Sequence, residues 1–225
     1  MNRRKWLRAN WPFGMPVLAQ RLRRQQFTRG TPNGFIIDRV RHDTMEGRFV
    51  EQQEISQIVE SPLGERSVYE RTEFREFGFK SAPGGLGLEV INPPRSLSLF
   101  LSRLAEACDF QVAITEINVD VMSWCERLAF ELDRRVDIVS CQLRNIKVAE
   151  SVYATAVLKG SVDVRAAANL FTRGAPYTND KIKVQIEGPP FFSLVLTRHS
   201  AVALDQNAPD YLLTSLRGSL LSSLT

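Results

Sequence analysis

Residues 181–187, Lys-Ile-Lys-Val-Gln-Ile-Glu, alternate polar and apolar side chains without a break. In an extended chain a repeat of two puts Ile182, Val184 and Ile186 on one face. Lys181, Lys183, Gln185 and Glu187 then fall on the other. This segment therefore specifies a strand with one face buried, and the rest of the chain must supply strands beside it and something apolar to cover it. Candidate partners abound. Residues 34–41, 48–59 and 66–80 are rich in β-branched and aromatic residues, and Ser61-Pro62-Leu63-Gly64 is a turn that makes the last two a hairpin. Residues 86–91 add a further strand.

From Pro93 onward the pattern changes. Leu97, Phe100, Leu101, Leu104 and Cys108 fall at helical spacing, and 111–119 reads as a strand. Asp120 is placed to cap a helix with Val121, Trp124, Cys125, Leu128 and Leu132 on one face. Two strands follow at 137–148 and 152–160. Next comes a helix with Val164, Ala167, Ala168 and Phe171 inward, and then the 181–187 strand. The order over 111–187 is β-α-β-β-α-β, that of a ferredoxin-like unit. A strand at 191–197 and a helix over 208–224 close the chain. The expected fold class is α+β: a basic N-terminal arm, an antiparallel β-hairpin region, and a ferredoxin-like unit with a C-terminal helix. The expected divisions are an Arg/Trp-rich arm with a short helix at 1–33, an acidic β-rich region at 34–92, and the ferredoxin-like region at 93–225.

Charge sharpens that division. The 225 residues carry a net charge of +4, but residues 1–30 hold eight Lys or Arg and no Asp or Glu. Residues 31–133 hold ten basic and 18 acidic residues, and 134–188 hold nine basic and five acidic. A cationic surplus gathered in blocks points to an anionic counterpart. In the arm, Arg3, Arg4, Lys5, Trp6, Arg8 and Trp11 interleave cations with indole rings. Arg21, Arg23, Arg24 and Arg29 follow on a helix whose apolar stripe is Met15, Leu18, Ala19 and Leu22. Arg144, Lys147, Lys159, Arg173, Lys181 and Lys183 form a second basic set. These sixteen residues are the candidate binding residues.

"FTRGTP" at 27–32 returns as "FTRGAP" at 171–176. Both stretches are expected to end a helix, with glycine as the left-handed cap and proline blocking continuation.

Catalytic chemistry is scarce. His42 and His199 are the two histidines, and no spacing of Cys, His and carboxylates suits a metal. Gly84-Gly85-Leu86-Gly87 lacks the lysine and following helix of a phosphate cradle. Cys108, Cys125 and Cys141 are an odd set in apolar surroundings with no CxxC pair, which suits buried thiols in a reducing, cytoplasmic setting. The apolar runs are too short to span a bilayer, and no continuous apolar stretch follows the N-terminal charges. No catalytic residue, metal or cofactor is expected.

The sequence thus points to a non-catalytic, nucleic-acid-associated binding or assembly subunit that grips phosphates through the arm and the 134–188 face. The alternative is a structural oligomer-forming or adaptor subunit whose arm docks on the acidic region of a neighbour. A membrane surface is a lesser partner for the arm, and an enzyme with a Cys125–His199 site is the weaker reading.

Overall fold

The computed structural model describes residues 2–205 and 208–224; the remaining positions of the expected arm and C-terminal region lie outside the described residues. In chain order the elements are β1 (Asn2–Asn10), α1 (Met15–Arg23), β2 (Asn33–Val40), β3 (Met45–Glu60), β4 (Arg66–Ser81), β5 (Gly87–Ile91), α2 (Ser98–Ala107) and β6 (Ala113–Glu116). They continue with α3 (Val121–Leu132), β7 (Val136–Ala149), β8 (Val152–Lys159), α4 (Arg165–Thr172), β9 (Thr178–Ile186), β10 (Phe192–Thr197), β11 (Ala201–Leu204) and α5 (Asp210–Ser222). The chain divides into two compact units. One, here the ribbon unit, is Arg8–Ile114; the other, the platform unit, joins Met1–Leu7 to Thr115–Thr225.

In the ribbon unit, β2, β3, β4 and β5 pair antiparallel in that order, and β1 follows β5. The Ala9 amide donates to the Leu86 carbonyl at 3.0 Å, and the Trp11 indole N–H donates to the Gly87 carbonyl at 3.0 Å. Phe35, Phe49, Phe77 and Phe79 gather around Phe100 of α2 with ring centroids 5.1 to 6.1 Å apart. Offset and edge-on rings at that spacing attract beyond their buried area. Helix α1 starts with proline in its first turn and buries Met15, Leu18, Ala19 and Leu22, the stripe its spacing specifies.

Strands β3 and β4 outrun their neighbours. They pair from Met45–Ser81 out to Glu60–Arg66, but β2 accompanies β3 only as far as Glu51, and β5 meets β4 at Gly78–Ser81. Residues 52–74 therefore form a two-stranded ribbon about 30 Å long, taking the usual rise of a strand.

In the platform unit the strand order is β1-β11-β10-β9-β7-β8, with antiparallel pairing throughout. β6 pairs with β1 off this path. Helix α3 packs on β7, β9, β10 and α5, and α4 packs on β7. Asp120 caps α3 by accepting from the Met122 amide at 3.1 Å. Trp124 of α3 donates to the Leu216 carbonyl of α5 at 3.1 Å and meets Trp6 edge-on at 6.1 Å.

The expected fold class is corrected. Strands make up 45% of the structure and helices 24%, a β-rich antiparallel architecture and not an α+β one with a small ferredoxin-like unit. That unit would need the first strand of its β-α-β-β-α-β series inserted among the other three. Here β6 leaves to join β1, and β7 sits between β8 and β9. The order of elements along the chain is compatible with both arrangements, because it does not say which backbones meet.

The basic arm is corrected as well. Residues 2–10 are a strand, and Trp6, Leu7 and Ala9 are buried. Four cations in six residues conceal its apolar positions from a pattern reading.

The repeated hexapeptide turns out to be two different structures. Helix α1 ends at Arg23 with Arg24 as its cap, well before the first copy. Residues 27–32 are a loop in which the Phe27 amide donates to the Phe35 carbonyl at 3.0 Å and the Thr31 hydroxyl to the Thr28 carbonyl at 2.8 Å. The second copy does end a helix, with Arg173 at φ 50° and Gly174 at φ 78° following Thr172.

Candidate anion-binding face

Side chains of directly opposed residues in antiparallel strands project to the same side. Followed across the platform sheet, the register gives one row running Lys159, Ser140, Lys183, Val195, Ala203, Arg3. The adjacent row runs Val157, Gln142, Lys181, Thr197, Ala201, Lys5. None of these twelve residues is buried, whereas Ile182, Val184, Ile186, Leu194, Leu196, Val202 and Leu204 between them are, on the side where α3 lies. The sheet thus has one face covered by helix and one face open. The open face is a floor of Ser, Thr, Ala and Val with Gln142, from which five cations rise.

These cations differ in what they already hold. Lys5 reaches the Glu116 carboxylate at 2.7 Å and is only 19% exposed. That hydrogen bond, with the charge behind it, holds Glu116 below the ordinary carboxylate range. The His199 ring nitrogen Nδ1 stands 3.9 Å from the other oxygen of Glu116. Arg3 is exposed. Lys159, Lys181 and Lys183 are exposed and, among the described residues, have no carboxylate within ion-pair reach. Lys181 and Lys183 lie two residues apart, about 6.8 Å along the strand.

The other sequence-derived candidates lie elsewhere. Arg4 is half-buried on the helix-covered side beside Val202. Trp6 is core, and Trp11 is buried in the ribbon unit. Arg8, Arg23, Arg24 and Arg29 are exposed in the ribbon unit. There Arg21 binds Asp109 at 2.6 Å and lies 4.6 Å above the Phe13 ring. In the platform unit Arg144 pairs with Asp180 at 3.2 Å, Lys147 is exposed opposite Tyr153, and Arg173 is exposed after α4. The register thus unites Arg3, Lys5, Lys159, Lys181 and Lys183, and leaves the rest of the set dispersed. Of the candidates from the N-terminal segment, Arg3, Arg4, Lys5, Trp6 and Arg8 lie in strand β1, with Trp6 in the core, and Arg21 and Arg23 lie on α1.

Sequence reasoning missed Glu116 and the small floor residues Ser140, Ala201 and Ala203. It also missed the ribbon as a projection. The alternation of β9 was legible, but no local signal names the strands on either side of it.

Burial pushes the Cys125 thiol up to about 12 and the Cys108 thiol up to about 11, and it raises Cys141 too. A thiol so disfavoured as thiolate is no nucleophile near neutral pH. Among the described residues no three His, Cys, Asp or Glu side chains gather as a metal site. A cleft of about 460 Å³ in the platform unit is lined by Asn118, Asp120, Tyr177, Thr178, Asn179 and Arg198, among others. Its Asp120 carboxylate is already engaged by the Met122 amide and the Ser123 hydroxyl. Among the described residues no helix is long and apolar enough to cross a membrane. No protein-family model matches the chain, and no curated protein is similar to it.

Proposed function

We propose that this chain is a non-catalytic binding protein whose open, cationic sheet face engages the phosphate backbone of a nucleic acid. One observation carries the reading: the strand register gathers Lys159, Lys181 and Lys183 on an uncovered face, with Arg3 and Lys5 in the same two rows. Lysines on a floor of small side chains can approach an extended polyanion along its length, and each phosphate neutralised releases counterions. The aromatic residue on the exposed alternate positions of β8 is Tyr153, so base stacking contributes little and binding is tolerant of sequence.

The test is fluorescence anisotropy of a labelled single-stranded oligonucleotide over a salt series. Binding is expected at low salt, and K159A/K181A/K183A weakens it and reduces the logarithmic salt slope by about 2, the share of three phosphate contacts. No binding at low salt, or an unchanged slope in the triple variant, removes the reading.

A further inference from the structure

The ribbon at 52–74 runs past the strands on either side of it, and its surface is not that of an inert hairpin. Ile58 and Val68 oppose each other on one face at 68% and 60% exposure, and Leu63 at the tip is 91% exposed. The segment holds five Glu and two Arg. Both arginines are spoken for: Arg66 contacts Glu60 at 3.3 Å and Arg71 contacts Glu73 at 2.7 Å. Among the described residues Glu54, Glu65 and Glu70 have no cation within ion-pair reach.

Glu54 opposes Thr72 and Glu70 opposes Ser56. Glu54 and Glu70 are therefore diagonal neighbours on the same face as Ile58 and Val68, their backbones about 7–8 Å apart. That is an acidic pair left without relief beside an exposed apolar pair.

Its complement is the open face of the platform sheet, where Lys181 and Lys183 stand about 6.8 Å apart beside the apolar floor of Val195, Ala201 and Ala203. We propose that the ribbon of one copy of this chain lies across the cationic sheet face of a second copy, occupying by imitation the place of a polyanion. The acidic pair meets the lysine pair, and Ile58 and Val68 settle on the floor of small side chains. This rests on the phosphate-binding reading of that face and adds a means of regulating it: self-association and nucleic acid compete for the same lysines. Because the two contacting surfaces differ, the association is heterologous and does not stop at two copies unless a ring closes.

Sedimentation velocity of the full chain tests this across protein and salt concentration. At low salt, self-associated species are expected, a reciprocal dimer or larger, growing with concentration and dispersing on addition of salt or of a single-stranded oligonucleotide. Glu54→Lys with Glu70→Lys should lower the association constant at least about tenfold, as the loss of two charge pairs requires. Lys181→Glu with Lys183→Glu should do the same, and a mixture of the two double variants should associate again. Oligonucleotide binding by the Glu54→Lys/Glu70→Lys variant is expected to match or exceed that of the parent chain. A monomer at every concentration in low salt overturns the proposal, as does association indifferent to both double variants. Loss of oligonucleotide binding with this association intact would remove the nucleic-acid reading alone.

Discussion

Trp6 shows what a single residue decides. It is 1% exposed, stacks edge-on against Trp124, and its carbonyl accepts a hydrogen bond from the Ser200 hydroxyl at 2.6 Å. Trp6→Ala should lower stability by about 3–5 kcal/mol in equilibrium urea unfolding, the range for emptying a large aromatic site; a residue in a solvated tail would register nothing.

Gly87 is a second such position. Its φ is +80°, and a Cβ there would run into the backbone of Ala9. Gly87→Ala should therefore lower the melting temperature by clearly more than Gly84→Ala, where φ is also positive but no atom lies within 4 Å.

The thiols give a pH dependence. Burial raises Cys125 and Cys108 above the ordinary thiol value in the folded chain. Above that value the unfolded chain releases protons that the folded chain retains, so stability is intact at neutral pH and falls as pH rises toward the folded values. The slope is up to about 1.4 kcal/mol per pH unit for each thiol. Urea midpoints measured through the alkaline range should fall accordingly, and less steeply in Cys125→Ala.

At the scale of elements, the ribbon and the strand it extends obey different rules. Up to Glu51 and from Phe77, β3 and β4 bury Met45, Phe49, Val50, Phe77 and Phe79; beyond those points nearly every side chain is exposed. Replacing residues 54–72 by a short turn should thus leave the calorimetric melting temperature within about 4 °C of the parent, a change no larger than 1 kcal/mol brings in a domain of this size. A larger fall would mean that the ribbon covers part of the core. The helices were the elements most open to reading. Met15, Leu18, Ala19 and Leu22 of α1 and Val121, Trp124, Cys125 and Leu128 of α3 are buried as their spacing marks, and Leu132, marked with the latter, is half-buried. Helix α4 departs from its pattern: Val164 and Ala168 are buried, but Ala167 and Phe171 face out, Phe171 at 55% exposure. An eight-residue helix with two turns offers too short a stripe to fix its own orientation.

At the scale of the whole molecule, the first residues of the chain complete a unit made otherwise of its last half. Asn2–Lys5 pair with Ala201–Leu204, and Lys5 binds Glu116. A chain lacking residues 1–30 should consequently lose cooperative thermal unfolding by circular dichroism, whereas a chain that keeps a separable arm would melt unchanged without it. The platform face shows the same dependence on distant partners. Lys181 and Lys183 could be placed on the polar side of a strand from seven residues of sequence, but their neighbours Lys159, Arg3 and Lys5 come from positions 22 to 180 residues away along the chain.

The division between what was legible and what was not has a physical basis. Side-chain periodicity is local, so the chain by itself determined where most of the helices and strands form, β1 and β11 excepted, which side of β9 is buried, that Asp120 caps a helix, and that the thiols are core. Strand pairing rests on backbone amides and carbonyls, which every residue but proline presents alike. Which strand lies beside which was therefore decided only by the packing of the finished sheet. That packing took β6 out of a ferredoxin-like arrangement, drew the basic N-terminal residues into a strand, and assembled the five cations of the open face from three separate strands.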